Sequence, residues 1–253
     1  MSAITPIEPS DLEFDNGTFD SAAFAVETLK SRQSLASVID HTLLKPEATR
    51  AQIEQLCEEA ASYRFACATV NPVWAATAVK LLAGTGVAVG AAIGFPFGAS
   101  LVSTLRQEAS TLTRLGVREL DMVMPIGLLK SGNYTGVQQT IHAVATVAHH
   151  QGALFKVILE TSLLTMEEKL RASEIAIQAG ADFIKTSTGF STGGATAADV
   201  ALMRGVAGAR CGVKASGGIR TLADARAMLE AGANRIGASE SVAIVRELEE
   251  SRD

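Results

Sequence analysis

The chain is poor in cysteine, and the few cysteines do not form a recognisable site. Only 3 of the 253 residues are Cys. Cys57, Cys67 and Cys211 lie far apart and form no Cys-x-x-Cys pair. This spacing argues against a disulfide framework or a zinc ribbon and favours reduced thiols, so we expect a cytoplasmic protein.

Long apolar runs and basic runs are also lacking. No apolar run approaches the ~20 residues that a membrane span needs, so we expect no membrane partner. The net charge of -5 and the absence of a basic cluster argue against nucleic-acid binding. The acidic start of the sequence, "MSAITPIEPSDLEFDNG", has no basic n-region or apolar core, and we expect no secretion signal.

Recognisable catalytic and ligand motifs are scarce as well. There is no defensible Ser-His-Asp arrangement and no nucleotide-binding fingerprint. The histidines of the predicted helix over residues 134–152 have no cysteine or carboxylate neighbours, so a solvated helix face is expected there rather than a metal site: His142, His149 and His150. We therefore expect neither a metal nor a cofactor.

What the sequence does contain is ample core-forming material. It is 47% hydrophobic with 22 Gly and 6 Pro, which is compatible with a sizeable core in one large domain. The first 36 residues are more polar than the rest. We predict an N-terminal extension over residues 1–36, helical from Ser21 to Leu35, followed by a catalytic domain over residues 37–253.

From Ser37 onward, short Val- and Ile-rich runs alternate with Ala- and Glu-rich stretches of helical period. Eight such runs predict strands: "SVIDHT", "FACATV", "VAVGAAIGF", "ELDMVM", "LFKVILE", "FIKTS", "CGVKAS" and "RIGAS". Alternation of this kind implies parallel strands with right-handed crossovers. The first predicted strand lacks the Gly-rich phosphate turn of a doubly wound sheet, so we predict a (β/α)8 TIM barrel.

Polar residues interrupt several of these apolar strands. They are Asp40, Thr42, Cys67, Asp121, Lys156, Glu160, Lys185 and Lys214. A single strand lysine could snorkel at the barrel rim, and a single aspartate could cap a turn. Because unpaired buried charge is costly, a whole set of charges that can neutralise one another indicates a site.

Two lysines on neighbouring predicted strands suggest specific chemistry. A lysine amine is nucleophilic only when neutral, and its reference pKa is about 10.4. Burial and a second cation lower that pKa, and such a lysine forms Schiff bases with carbonyl compounds. Lys185 with Lys214 fits this arrangement, and Asp121 could transfer protons, through a water if needed.

The loops after the last strands suggest an anion site. Barrels often bind phosphate after strands seven and eight. "KASGGIR" offers Gly217 and Gly218, whose backbone N–H groups can approach an anion, and Ser239 could begin a short helix that adds further donors. "STGFSTGGAT" after the sixth strand offers similar groups.

Several of these segments together resemble the deoxyribose-phosphate aldolase family of class I aldolases. They are "IDHTLLKP", "ELDMVMPIG", "FKVILET", "FIKTSTGFSTGGAT", "GVKASGGIRT" and "RIGAS", and they run in order from about Val38 to about Val242. The resemblance implies a metal-free (β/α)8 barrel, often oligomeric, that interconverts 2-deoxy-D-ribose 5-phosphate with acetaldehyde and D-glyceraldehyde 3-phosphate. We accordingly expect small-molecule partners and a homo-oligomer, either a dimer or a tetramer.

The resemblance also implies residue roles. Lys185 would form the Schiff base, Lys214 would depress its pKa, and Asp121 would transfer protons. Asp40 and Lys156 would complete a polar relay. The expected substrate- and phosphate-binding residues are Thr42, Thr188, Gly189, Gly217, Gly218, Gly237 and Ser239.

The chain departs from the family pattern at the expected phosphate end. Glu240 follows Ser239 where many members carry a small or hydroxyl residue, and Phe190 stands where some members have a lysine. Three other hypotheses remain open: a lysine-dependent barrel aldolase for a different aldehyde pair, a non-catalytic sugar-phosphate-binding barrel, and a metal- or cofactor-dependent barrel enzyme.

Overall fold

A computed structural model describes residues 18–251 of the chain. Eight parallel strands form a closed barrel in chain order, with β1 hydrogen-bonded to both β2 and β8. The strands are β1 (Ile39–Leu43), β2 (Cys67–Val70), β3 (Ala88–Ile93), β4 (Glu119–Val123), β5 (Leu154–Ile158), β6 (Phe183–Lys185), β7 (Gly212–Ser216) and β8 (Arg235–Ala238). The predicted (β/α)8 barrel is confirmed.

Helices connect the strands and surround the barrel. They are α3 (Arg50–Tyr63), α4 (Ala75–Leu81), α5 (Val102–Leu115), α6 (Ile126–Lys130), α7 (Tyr134–His150), α8 (Met166–Gln178), α9 (Ala197–Ala207), α10 (Leu222–Glu230) and α11 (Ser241–Glu250), preceded in the chain by α1 (Ser21–Thr28) and α2 (Arg32–Ala36). Capping boxes begin α3 and α8, where Thr49 and Thr165 accept from the backbone and the third helical residue reaches back.

The main core lies between the strands and the helices. Outward-facing strand residues such as Leu120, Val157, Ile184 and Val213 are fully buried there against the surrounding helices. Because successive side chains of a strand alternate between faces, the polar residues next to them in sequence point into the barrel. The apolar packing on the outer face thus fixes the orientation of the charged residues on the inner face.

The predicted N-terminal helix is two helices. Ser31 interrupts it, because its hydroxyl accepts the Ser34 N–H and begins α2. The helix α1 packs against α10, and α2 packs against α11 with Leu35 fully buried. The division into an extension of residues 1–36 and a catalytic domain stays a prediction, and its first 17 residues lie outside the described part of the chain.

Among the described residues, no helix is both long enough and apolar enough to cross a membrane.

Candidate active site

Two lysines lie side by side on neighbouring strands. Lys185 is the last residue of β6 and lies directly opposite Lys214 of β7 in the strand register. Both side chains are almost completely buried. The structure therefore brings together the two residues that the sequence indicated as an activated pair.

A single carboxylate holds both amines. Oδ2 of Asp121, on β4, accepts from Lys185 Nζ at 2.8 Å and from Lys214 Nζ at 2.7 Å. Its other oxygen, Oδ1, accepts from Lys156 Nζ at 2.9 Å. Asp121 thus lies at the centre of three of the predicted cations.

A fifth predicted charged residue, Asp40, and the neighbouring Thr42 extend this cluster. Asp40 of β1 accepts from Lys214 Nζ at 2.5 Å through its Oδ2, which lies 3.6 Å from Lys156 Nζ. Thr42, two residues later, donates its hydroxyl to the Asp40 carbonyl at 2.8 Å and lines the cavity above. Six of the seven polar residues predicted from the first, fourth, fifth, sixth and seventh strands therefore lie in one connected group, whereas the seventh, Glu160, binds Thr188 instead.

Burial and neighbouring charge separate the pKa values of the lysines. Burial lowers the pKa of Lys185, and the nearby Lys214 charge lowers it further, so that it falls to about 8 despite Asp121. Burial also acts to lower the pKa of Lys214, but the charges of Asp121 and Asp40 outweigh it and raise that pKa. At neutral pH, Lys214 is therefore a cation, and Lys185 is the amine that most readily becomes neutral.

The carboxylates stay ionised for the same reason. Burial by itself would raise the pKa of Asp121, but the charges of Lys156, Lys185 and Lys214 hold it well below its usual value. The same competition lowers the pKa of Asp40. Both aspartates therefore act on the lysines as fixed negative charges at neutral pH.

Two charged residues of this cluster were missed from the sequence. Glu119 begins β4, and its carboxylate accepts from Lys156 and from Arg235, which begins β8. Arg235 Nε also donates to Asp40 Oδ1 at 2.6 Å. The two-residue period of a strand could have found Glu119, because it lies two residues before Asp121 and therefore on the same face of the strand. No such signal marks Arg235, whose strand contains no other charged residue.

A cavity of about 430 Å³ opens beside Lys185, which is part of its lining. The predicted substrate-binding residues all line it: Thr42, Thr188, Gly189, Gly217, Gly218, Gly237 and Ser239. Gly237 also leaves room for the neighbouring lysine, because a Cβ there would lie 2.9 Å from Lys214 Cε. This close approach gives Gly237 a role in packing beside its place in the cavity wall.

The rim of the cavity carries both signs of charge. Lys45 and Arg220 line it, and both are exposed cations that the sequence interpretation did not use although their motifs contained them. Glu240 lines the same rim. The short helix expected to begin at Ser239 begins instead at Ser241, with Glu240 as its N-cap and no side-chain cap bond.

The wall formed after β6 is anchored from β5. Glu160 is buried, and its Oε2 accepts the Thr188 N–H at 3.2 Å and the Thr188 hydroxyl. That hydroxyl oxygen in turn accepts the Phe190 N–H at 3.0 Å. The ring of Phe190 packs edge-on against Phe95, with centroids 5.2 Å apart. Phe190 is thereby held at the mouth of the cavity.

The described residues include one group with metal-ligand spacing. Ligand atoms of Asp40, Cys67 and Glu119 lie within 4.8 Å of one another. Both carboxylates are already paired with lysine and arginine, so a cation would have to displace these pairs.

Outside the barrel, His149 Nε2 lies 2.9 Å from Asp182 Oδ2, so the expectation that this histidine has no carboxylate partner was wrong.

A closed parallel barrel with a buried, low-pKa lysine facing a cavity defines a lysine-centred barrel enzyme. The family model described as DeoC/LacD family aldolase matches residues 34–245. The chain belongs to this family.

Individual relatives agree with the family assignment. The chain is 55% identical over 212 residues to a deoxyribose-phosphate aldolase of Geobacillus sp. (strain WCH70), covering 84% of this chain and 95% of that protein. A putative deoxyribose-phosphate aldolase from Coccidioides immitis is similar in structure, with a TM-score of 0.84, 44% identity and 87% of each chain covered. A deoxyribose phosphate aldolase from Aeropyrum pernix, described as tetrameric, has a TM-score of 0.84 and 35% identity, covering 91% of this chain and 97% of that chain.

Proposed function

We propose that the protein reversibly cleaves 2-deoxy-D-ribose 5-phosphate to D-glyceraldehyde 3-phosphate and acetaldehyde through a Schiff base on Lys185, in the catabolism of deoxyribonucleotides and deoxyribose. The observation that carries the proposal is the Lys185 amine, which is buried, has a pKa of about 8 and lines the cavity. Family membership and the named relatives support the choice of substrate.

The first step is attack on the C1 aldehyde of the open-chain sugar. With a pKa of about 8, roughly a tenth of Lys185 is neutral at pH 7, against well under a thousandth for an ordinary lysine. The amine adds to C1, and the resulting hydroxyl leaves as water to give an iminium ion. Lys214, held as a cation by Asp121 and Asp40, is suited to donate the proton that the leaving hydroxyl needs.

The iminium then accepts the electrons of the breaking bond. A base removes the proton of the C3 hydroxyl, the C2–C3 bond breaks, and its electron pair forms an enamine with the former iminium. Glyceraldehyde 3-phosphate leaves, C2 is protonated, and hydrolysis of the new iminium releases acetaldehyde. Asp121 is the proposed proton carrier, acting through a water, and Asp40 with Lys156 forms the relay behind it.

The phosphate end is assigned to the far side of the cavity. Gly217, Gly218 and Gly237 offer backbone there, and Thr188 and Ser239 offer hydroxyls. Lys45 and Arg220 add positive charge at the rim, while Glu240 opposes it. These features favour a phosphorylated aldehyde and also identify the groups that limit its affinity.

Trapping the imine tests the proposal. The protein is incubated with acetaldehyde, reduced with borohydride and digested, and the adduct is located by mass spectrometry. We expect it on Lys185 and expect none in K185A, whereas K130A, which changes an exposed lysine, should behave as wild type. The adduct should form faster as the pH rises, with a midpoint near pH 8 and a plateau about one pH unit higher, because only the neutral amine attacks.

A folded wild-type protein without an adduct on any lysine would contradict the proposal and favour the non-catalytic binding barrel. Activity that is lost with a strong chelator would instead favour a metal-dependent enzyme. Products formed from a panel of aldehyde pairs would distinguish this substrate from that of another lysine-dependent aldolase.

We also propose a homo-oligomer, a dimer or a tetramer. The Aeropyrum pernix relative described as tetrameric supports this. So do the apolar side chains that follow β2 and β3, since Val73, Phe97 and Leu101 are each at least 75% exposed. Light scattering across a concentration series should give a mass at least twice that of the chain, and a monomer at high concentration would contradict the proposal.

A cytoplasmic location is proposed on the state of the cysteines. All three are free and buried, as in a reducing compartment. Cell fractionation with an antibody to the protein would check this, and recovery outside the cytoplasmic fraction would contradict it.

A further inference from the structure

The charges inside the barrel form a closed ring. Six side chains alternate in sign, and each contacts the next: Arg235, Glu119, Lys156, Asp121, Lys214 and Asp40, which returns to Arg235. We name these six side chains the ion ring. Each of its six carboxylate oxygens accepts from at least one of its cations.

The ion ring is electrically neutral without Lys185. It contains three cations and three carboxylates, so every negative charge is already matched. Lys185 joins from outside through Asp121 Oδ2, an oxygen that it shares with Lys214. A protonated Lys185 is therefore an excess cation in a buried site, and this excess opposes its protonation.

Glu119 and Arg235 complete the ion ring away from the substrate. They begin their strands, and neither lines the cavity. The charged groups that face Lys185 are Asp121 from β4, Lys214 from β7 and Lys156 from β5. Glu119 binds Lys156, one of these groups, and Arg235 binds Asp40, a partner of Lys214, so neither of the two binds Lys185 itself.

We propose that Glu119 and Arg235 are positioning residues whose paired charges keep the ion ring neutral and thereby set the pH at which Lys185 becomes a nucleophile. The inference rests on the proposed function, because it concerns the amine that forms the imine. Glu119 and Arg235 lie at the opposite end of the strands and do not contact Lys185, yet their charges would influence its reactivity.

The proposal predicts shifts of opposite sign. In R235Q, the ion ring keeps three carboxylates and two cations, so its net negative charge favours protonated Lys185 and moves the pH midpoint of imine formation upward. In E119Q, the ion ring is left positive and the midpoint moves downward. Each shift should be about one pH unit, the order expected for a unit charge a few side chains away at an effective dielectric constant of about 20.

The experiment measures the rate of acetaldehyde trapping on Lys185 by cyanoborohydride between pH 6 and 10, with the adduct quantified by peptide mass spectrometry. Wild type, R235Q, E119Q and the double variant R235Q/E119Q are compared. The double variant removes one charge of each sign, so its midpoint should return close to that of wild type.

Matched controls use an exposed pair with the same chemistry. Arg50 and Glu54 form an ion pair on the surface of α3, and R50Q and E54Q repeat the two substitutions there. Since reductant and buffer are common to all samples, their own pH dependence cancels in the comparison. The control variants should keep the wild-type midpoint.

A purely structural role for the pair would lower the folded fraction without moving the midpoint in opposite directions. Unmoved midpoints, shifts of the same sign, or a double variant that stays shifted would each overturn the inference. If one single variant fails to fold, the other single variant and the double variant still decide. An adduct on wild-type Lys185 with unmoved midpoints would overturn this inference alone, whereas no adduct on wild type would overturn the proposed function on which it rests.

Discussion

The inward-facing residues of the barrel fall into two arcs that differ in size and charge. The charged arc, on β1 and β4 to β8, carries the ion ring and Lys185. The small arc, on β2 and β3, carries Cys67, Thr69, Gly90 and Ala92, all inward by strand register with the charged arc. Barrel interiors are usually filled by Val, Ile and Leu from all sides. Here long charged side chains fill the interior from one arc, and small residues on the other leave room for them.

The contrast separates two requirements of a buried charge. Each cation needs a carboxylate, and the charged arc provides these across the barrel, as when Lys214 of β7 reaches Asp40 of β1. Each long side chain also needs space, which small residues provide. A substitution in either arc is therefore expected to damage the site, but through electrostatics in one arc and through packing in the other.

The largest effect is expected from neutralising the central carboxylate. In D121N, three buried lysines lose their shared acceptor, and removal of one partner of a buried ion pair typically costs about 3–5 kcal/mol. Aldolase activity should fall by a factor of about a hundred or more, because the proposed proton carrier is lost. Urea unfolding and a coupled aldolase assay measure the two effects.

The control for D121N is an aspartate that pairs with a lysine outside the barrel. Asp199 accepts from Lys169 Nζ at 2.6 Å in a part-buried pair, and D199N should cost less stability than D121N, because it leaves one lysine without this acceptor instead of three, and should keep activity. Equal losses of activity in both variants would contradict the special place of Asp121 in the charged arc.

A smaller effect is expected from enlarging the small arc. A Cβ on Gly90 would lie 2.8 Å from Cys67 Sγ and 3.0 Å from Thr69 Oγ1, so G90A should destabilise the protein by about 1–3 kcal/mol. G205A, in the exposed part of α9 with nothing within 4 Å, should instead stabilise it by about 0.5–1 kcal/mol. Urea unfolding of both variants measures the sign of the change in the free energy of unfolding. An unchanged free energy of unfolding in G90A would show that the barrel interior has unused space.

The two arcs also show how far the sequence could predict the structure. The eight strands were predictable because Val and Ile runs alternate with helical periods, and the inward direction of Asp121, Lys185 and Lys214 followed from their place in apolar strands. The helix α6 was missed because it has only five residues, directly after Pro125. Nothing local marks so short an element.

Contacts between side chains across the barrel were harder to predict than the direction in which each side chain points. Glu119 and Arg235 are 116 residues apart in sequence, and no local pattern states that their side chains meet. That contact depends on strand register and barrel closure, which emerge only when the whole chain is folded. The charged arc was therefore predicted as a group of lysines and aspartates, but its closure into a ring was not.

The smallest effect is expected at the rim, where charge is exposed to solvent. Removing the Glu240 carboxylate in E240Q should lower the KM for deoxyribose 5-phosphate by about two- to five-fold, because a partly screened repulsion of the phosphate is removed. The KM for unphosphorylated deoxyribose should not change, and the effect should shrink as salt is added. E250Q, at the other end of α11, provides the control. An equal change in KM for both sugars would mean that Glu240 acts through the shape of the cavity rather than through its charge. The charge at the rim would then have no measurable effect on substrate binding, in contrast to the charges of the buried ion ring.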